Sequence, residues 1–521
     1  MIRPLVLLLA GLGAGTAPAP RPRLIVVITV DQLRPDYLDR YRPQLKGGFA
    51  TLLRTGATFT DAYQDHAVTE TAPGHSTILS GRWPAHTGIT RNLAGVQDQA
   101  APLIGVAGPG ASPRRFRGTA FFDWLKAADA GARALSISGK DRGAILPIGR
   151  AKEQVYWYAG GFFTTSRYYA DSLPTWVRIF NGQRVPFRAA GTQWTLFLPE
   201  REYSEPDSVA YENQGRDVVF PHRLPADSGE AALAFVATPT MDSLTLAFAL
   251  EGVRALQLGG RGATDLLAVS LSTTDYVGHA YGPDSREIHD QVVRLDRYLG
   301  RFLEQLFVRY GRNNVLVVLT ADHGVTPFPE RSRVMGHPGA VRVIPDTIIQ
   351  GVNAALDQRA GGGDWVQLES GMLLVPDRAK LVAQGVNVDS VVADVATRLR
   401  ALPGVARVDR PADLAPKDTA DPVLRRWIHH LSPDGGVELV ATLKPYSIWS
   451  AANGFIAMHG QPTELDSHVP LILWGPGVRR GVYAGRVSTV DIAPTLARLL
   501  DLTPAEPLDG RVLTEALGAQ N

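Results

Sequence analysis

The sequence predicts an α/β fold, a three-layer αβα sandwich on a mostly parallel central sheet, with inserted segments. Uninterrupted β-branched runs carry the first part of that reading: LIVVITV (Leu24–Val30), ARALSIS (Ala132–Ser138), LLAVSLS (Leu266–Ser272), NVLVVLT (Asn314–Thr320) and VPLILW (Val469–Trp474). Such runs fit parallel strands buried on both faces between helical layers. Amphipathic segments separate them. The clearest is Ser285–Leu306, where Ile288, Val292, Leu295, Leu299 and Leu303 form one apolar stripe. Ligands of open α/β sheets bind beyond the carboxyl ends of the strands. Polar residues follow the strands there: Asp31, the Lys140–Arg142 segment, Asp275 and Asp322.

A chain of 521 residues is long enough for one large domain with insertions, or for two coupled lobes. Two stretches break the alternation. Residues of about 155–235 are rich in aromatics and proline (YWYAGGFFTTSRYY, SLPTWV) and lack a clean period. Residues of about 338–450 hold a glycine-rich break, GGGD, and a helical VDSVVADVATRLRAL, which reads as a small α/β subdomain. The remainder of 20–521 is read as the main domain.

The formal net charge of +2, from 53 basic and 51 acidic residues, argues against a dedicated nucleic-acid surface but leaves room for a locally positive pocket. The absence of cysteine rules out disulfides, thiolate metal sites and thiol catalysis. Any transition metal must then be held by histidine and carboxylate. At the start, Arg3, the apolar run Leu5–Leu12 and small residues before Pro20 form a signal-peptide pattern over residues 1–19, cut between Ala17 and Ala19. That run is too short to span a bilayer, and no later stretch is apolar enough. The expected destination is the periplasm or the medium.

In TETAPGHSTILSG, Pro73 suits the first turn of a helix, which puts Thr71 at its entrance. A hydroxyl there lies beside unpaired backbone N–H groups and the positive end of the dipole, where phosphate binds. A plain N-cap threonine explains the same pattern. TTDYVGH spaces Asp275 and His279 one helical turn apart, so both can face one ion. Asp322 and His323 are adjacent in ADHG, Asp31 closes the first strand, and His459 lies in MHG. Each alone has a structural explanation as a cap, a core histidine or a turn. Gathered at one sheet edge they form a sulfur-free donor set that suits zinc.

These motifs resemble the alkaline phosphatase superfamily, and most of all its PafA-type bacterial alkaline phosphatases, kin to the nucleotide pyrophosphatase/phosphodiesterases. The resemblance covers nearly the whole mature chain: VITVDQLRPDYL, TAPGHSTILSGRWPAHTGITRN, SGKDRGAI, STTDYVGH, TADHG, HGQPTELDSHVPLILWGPG and STVDIAPTLARLL. It implies two Zn2+ ions, one held by Asp275, His279 and His459, the other by Asp31, Asp322 and His323 with the Thr71 oxygen beside it. Thr71 is then a nucleophile that becomes phosphorylated. Asn92, in GITRN, and the backbone N–H of Ala72 are expected to contact a phosphoryl oxygen. Lys140 and Arg142, two apart after a strand, reach the same side if the segment is extended. In the PafA type such a pair grips the extra charge of a monoester, whereas the diesterase relatives lack it. His337 and His468 are the rivals of His459 for the last ligand position.

The expected substrates are therefore small phosphate monoesters. A phosphodiesterase or nucleotide pyrophosphatase on the same scaffold is the main alternative, and a non-catalytic metal- or phosphate-binding protein the next. A sulfatase needs a C/S-x-P-x-R motif that TAPGH does not match, and a manganese mutase usually carries serine as nucleophile. Oligomeric state is not legible.

Overall fold

The computed structural model describes residues 21–414, 420–450 and 456–518; the expected signal peptide lies outside them. Five strands run parallel in the centre of a nine-stranded sheet: Val315–Thr320, Leu24–Val30, Asp265–Leu271, Ala134–Ser138 and Gln154–Ala159, in that spatial order. Residues of Leu24–Val30 alternate between two apolar layers. Leu24, Val26, Ile28 and Val30 pack into one, Ile25 and Val27 into the other. The first layer is closed by the helices Pro239–Ala255 and Arg286–Tyr310, the second by Phe121–Ala128 and Ile492–Leu500. This is the expected three-layer αβα sandwich.

The long helix follows its sequence signals. Ser285 Oγ accepts from the Ile288 N–H at 3.2 Å, the stripe from Ile288 to Leu303 is buried, and Gly311 (φ 79°) stops the helix after Tyr310.

Two expectations are corrected. The VPLILW run is a strand, Leu471–Trp474, but it pairs antiparallel with Val315–Thr320. Its approach explains the direction: the Gly324 N–H donates to the Asp466 carbonyl, so the chain enters the sheet from the carboxyl edge. An apolar run does not encode direction. The segment YWYAGGFFT, expected to open an insertion, instead forms the sheet strands Gln154–Ala159 and Phe162–Thr164. Their aromatics are mostly buried, so no polar alternation marks them.

Residues 367–443 contribute a separate four-stranded antiparallel sheet in the order Gln367–Glu369, Met372–Leu374, Val437–Leu443, Val405–Asp409. The helices Asp346–Ala360 and Val388–Arg400 cover it with their own apolar core, including Trp365, Val392 and Leu439. Two of the contacts that bind this unit to the rest involve its first hairpin and an ion hub. Its first hairpin turns at Ser370 (φ 48°) and Gly371 (φ 83°), a two-residue turn with both central residues left-handed.

The second contact is an ion hub. Asp65 accepts from Arg425 at 2.8 Å, Arg426 at 3.3 Å and Arg486 at 3.2 Å, which clamps the helix Pro422–His430 to the segment leading to Thr71. Burial alone would raise the Asp65 pKa, yet Arg425 and Arg426 hold it down at about 2. Asp65→Ala is expected to cost about 3 kcal/mol in urea unfolding, because three guanidinium groups lose their shared counter-charge. The native pKa is depressed, so this contribution is present above the ordinary 3.8 and is lost as pH falls toward 2. A wild-type protein no more stable than the variant at pH 7 would refute the hub.

Candidate metal centre and active site

The nucleophile candidate opens a fully buried helix, Thr71–Ile78. Glu70 holds the cap position without a side-chain cap bond, so Thr71 is the first helical residue and not the cap. The helix approaches the loop after Val315–Thr320 closely enough that only glycine fits at 74, since a Cβ there would lie 2.1 Å from the Asp322 carbonyl oxygen. His75 fixes the first turn: its Nδ1–H donates to the Thr71 carbonyl at 2.9 Å, and Nε2 meets Ser270 Oγ at 2.9 Å. Asp322 Oδ2 lies 3.2 Å from the same Nδ1, but the proton is already directed at the carbonyl, so that approach is not a hydrogen bond.

Two donor groups meet at the carboxyl edge of the sheet. Asp275, His279 and His459 form one, Asp31, Asp322 and His323 the other, with the ligand atoms of each within 4.8 Å of one another. All three histidines are oriented alike. Nδ1 of His279 donates to the Ala457 carbonyl at 2.7 Å, that of His459 to Thr69 at 2.8 Å, and that of His323 to Gly324 at 2.9 Å. A carbonyl only accepts, so Nδ1 carries the proton and each Nε2 offers a lone pair. His279 and His459 point these lone pairs at each other across 3.2 Å. Such an approach requires a shared electrophile, a proton or a metal ion. In the other group Asp31 Oδ1, Asp322 Oδ2 and His323 Nε2 are buried without a hydrogen-bond partner. The donor chemistry, the outer hydrogen bonds and the orphaned atoms all fit metal ions.

The electrostatics are uneven. Burial and the neighbouring Asp275 and Asp322 push the Asp31 carboxyl well up despite Lys140. Burial opposes ionisation of Asp275, but His279 and Lys140 outweigh it and hold its pKa far down. Burial likewise opposes ionisation of Asp322, where His323 and His75 prevail. Burial drives His323 down to about 3, so it stays neutral.

The remaining expected residues are near, in altered roles. Lys140 caps the helix Asp141–Ile145, so the Lys140–Arg142 segment is not extended. Its buried ammonium lies 2.6 Å from Asp31 Oδ2 and 2.5 Å from Asp275 Oδ2, bridging the two groups. Arg142 sits one step into that helix, its buried Nε without a partner among the described residues. The Ala72 N–H is not directed at a ligand: it donates to Asn92 Oδ1 at 2.8 Å. Only the amide oxygen can accept, which fixes the orientation of Asn92. Pro73 has no N–H and that of Gly74 bonds to the Glu70 carbonyl, so little of the expected bare N-terminus remains. Of the rivals of His459, His468 bonds to the Thr60 carbonyl and His337 stacks on Tyr446; neither joins a donor group.

Four residues escape sequence reasoning. Gln32 takes φ 64°, its Nε2 donating to Asp275 Oδ1 at 2.8 Å and its backbone N–H to Asp322 Oδ1 at 3.2 Å. Gly278 makes room for it, since a Cβ there would meet Gln32 Oε1 at 1.8 Å. Glu70 accepts from the Asn92 N–H at 2.8 Å and from Ser370 Oγ of the inserted hairpin. Thr69 carries the His459 bond, and the Tyr276 ring lies 5.2 Å from the Lys140 ammonium. The only advance signal is a glutamate at a cap position. Gln32→Ala is expected to weaken metal binding by about 10- to 100-fold in titration against a competing chelator. Unchanged affinity would make Gln32 a bystander.

The sequence model of the type I phosphodiesterase / nucleotide pyrophosphatase family matches residues 25–343. Alkaline phosphatase PhoK of a Sphingomonas species is 34% identical, over 95% of this chain and 91% of its own. Alkaline phosphatase PafA of Elizabethkingia meningoseptica is 31% identical, over 95% of this chain and 94% of its own. The crystal structure of wild-type alkaline phosphatase PafA superposes with a TM-score of 0.88 at 30% identity, covering 96% of this chain and 99% of that one.

Proposed function

The chain belongs to the type I phosphodiesterase / nucleotide pyrophosphatase family, and on that premise we propose that it is an exported, zinc-dependent alkaline phosphatase acting on phosphate monoesters. The observation that carries the reading is the meeting of two carboxylate–histidine groups, bridged by Lys140, beside the entrance of the Thr71 helix. Similarity to alkaline phosphatases over 95% of the chain supports the monoester class, and the N-terminal signal pattern supports export.

Asp275, His279 and His459 would hold one zinc ion and Asp31, Asp322 and His323 the other. Bound there, zinc lowers the pKa of a neighbouring hydroxyl and offsets charge on phosphoryl oxygens. The Thr71 oxygen then attacks phosphorus, the ester P–O bond breaks, and the alcohol departs with a proton. Water hydrolyses the phospho-threonine, returning the hydroxyl and releasing inorganic phosphate. His75 holds the Thr71 turn in place. The NH2 end of Asn92, set by its bond to Ala72, donates to a non-bridging oxygen. Lys140 and Arg142 balance the second negative charge that distinguishes a monoester from a diester.

Lys140→Ala combined with Arg142→Ala is expected to lower monoester kcat/KM by on the order of 100- to 1,000-fold, while diester cleavage falls less than about tenfold. Rates on an aryl monoester and a bis-ester, with metal content measured on the same samples, check this. Equal losses on both would make the pair structural. A phosphodiesterase on the same scaffold predicts that wild type prefers the bis-ester.

A further inference from the structure

Beside the metal-ligand groups lies a cleft of about 340 Å³, lined by Leu368, Ser370, Trp449, Ile456 and Met458 with Asp346 at its rim. Its link to the site is covalent on one side and hydrogen-bonded on the other. Met458 immediately precedes His459. Ser370 donates to Glu70, the residue before Thr71. One peptide step, one glutamate side chain and one hydrogen bond separate Ser370 from Thr71, a path of roughly 10 Å.

The two regions differ sharply in chemistry. The space between the metal-ligand groups is walled by carboxylates, imidazoles and Lys140, and suits only the phosphoryl group. The cleft presents Leu368, Trp449, Ile456 and Met458, each only partly buried. Four large apolar side chains gathered half-exposed beside a polar site mark a surface shaped for a ligand. The inserted unit supplies Leu368, Ser370 and Trp449, and its Glu369–Arg91 ion pair at 2.8 Å anchors it next to Asn92.

Resting on the phosphatase reading above, we propose that this cleft receives the alcohol side of the ester and selects a planar aromatic leaving group. Trp449 offers an indole against which a ring can stack, and Met458 a polarisable side chain that fits varied ring edges. Asp346 at the rim disfavours a second anion on that ring. A methyl or ethyl ester is too short to reach the cleft, whereas a fused bicyclic ring has the needed length.

The test measures kcat/KM for 2-naphthyl phosphate and methyl phosphate with the zinc-loaded wild type, Trp449→Ala and Ile456→Trp. The first variant removes the stacking surface and the second fills the cleft at a half-buried position that tolerates added bulk. Intrinsic ester reactivity cancels, because the same pair of esters is compared across proteins. The naphthyl-to-methyl ratio is expected to fall about tenfold in each variant (~1.4 kcal/mol), mainly through KM. An unchanged ratio in both variants overturns the proposal, as does an equal loss on both esters. Failure of wild type to turn over either ester would instead sink the phosphatase reading. In that case calorimetric binding of 2-naphthyl phosphate decides the cleft: weaker binding to Ile456→Trp supports it, and equal binding overturns it.

Discussion

Thr71→Ala is expected to lower kcat/KM by on the order of 10,000-fold or more, while bound metal and thermal stability stay near wild type. The separation of effects follows from where Thr71 sits. It is the first residue of its helix, and its carbonyl, which the substitution keeps, accepts the His75 bond. The cap position belongs to Glu70, so losing the hydroxyl removes no helix-capping bond. What disappears is the atom that attacks phosphorus. Metal content measured on the same preparation matters, because a variant that is inactive and metal-depleted would say nothing about a nucleophile. Activity within about tenfold of wild type would exclude the covalent route, since water alone would then suffice.

Removing metal with a strong chelator is expected to abolish activity and lower the melting temperature, with zinc restoring both. The stability effect has a specific origin. Asp31, Asp322 and His323 keep buried ligand atoms without hydrogen-bond partners, and His279 and His459 aim lone pairs at one another. Each is a cost that a cation offsets. At a free zinc concentration about 1,000 times Kd, linkage gives roughly 4 kcal/mol of stabilisation. Calorimetry with and without chelator reads it directly. An active, equally stable protein after exhaustive chelation would refute the metal-dependent reading, and recovery with another divalent ion in place of zinc would revise the metal.

The residues of the two donor groups are legible in the sequence because most follow a strand directly, and position at the carboxyl edge is a consequence of topology alone. His459 is legible only through the resemblance. On residues alone, His337 and His468 compete with it, and what separates them is a bond to the Thr69 carbonyl made 390 positions away in sequence. The same limit hides Gln32, whose left-handed backbone no pattern around VDQLRP announces. It hides the Ser370–Glu70–Asn92 chain as well, where an inserted hairpin steadies residues 300 positions earlier. Strand direction at Leu471–Trp474 and the aromatic strands Gln154–Ala159 and Phe162–Thr164 are missed for another reason: apolar periodicity reports burial, not orientation, and disappears when both faces are covered. Lys140 shows the finest limit. Its identity is readable, but an extended segment and a helix start place its ammonium differently, and the start of a five-residue helix lies below the resolution of pattern reading.

The central strand Leu24–Val30 is made well before its neighbours in the sheet, Asp265–Leu271 and Val315–Thr320. Gln32, at its end, bonds to partners 243 and 290 positions downstream. Both edges of this strand therefore stay unpaired while more than half the chain is made, and contacts so distant in sequence form slowly. The two donor groups consequently cannot both be complete until position 459 has been made, because Asp31 belongs to one and His459 to the other. The strand most inclined to lock the fold therefore cannot do so until its late partners have been made.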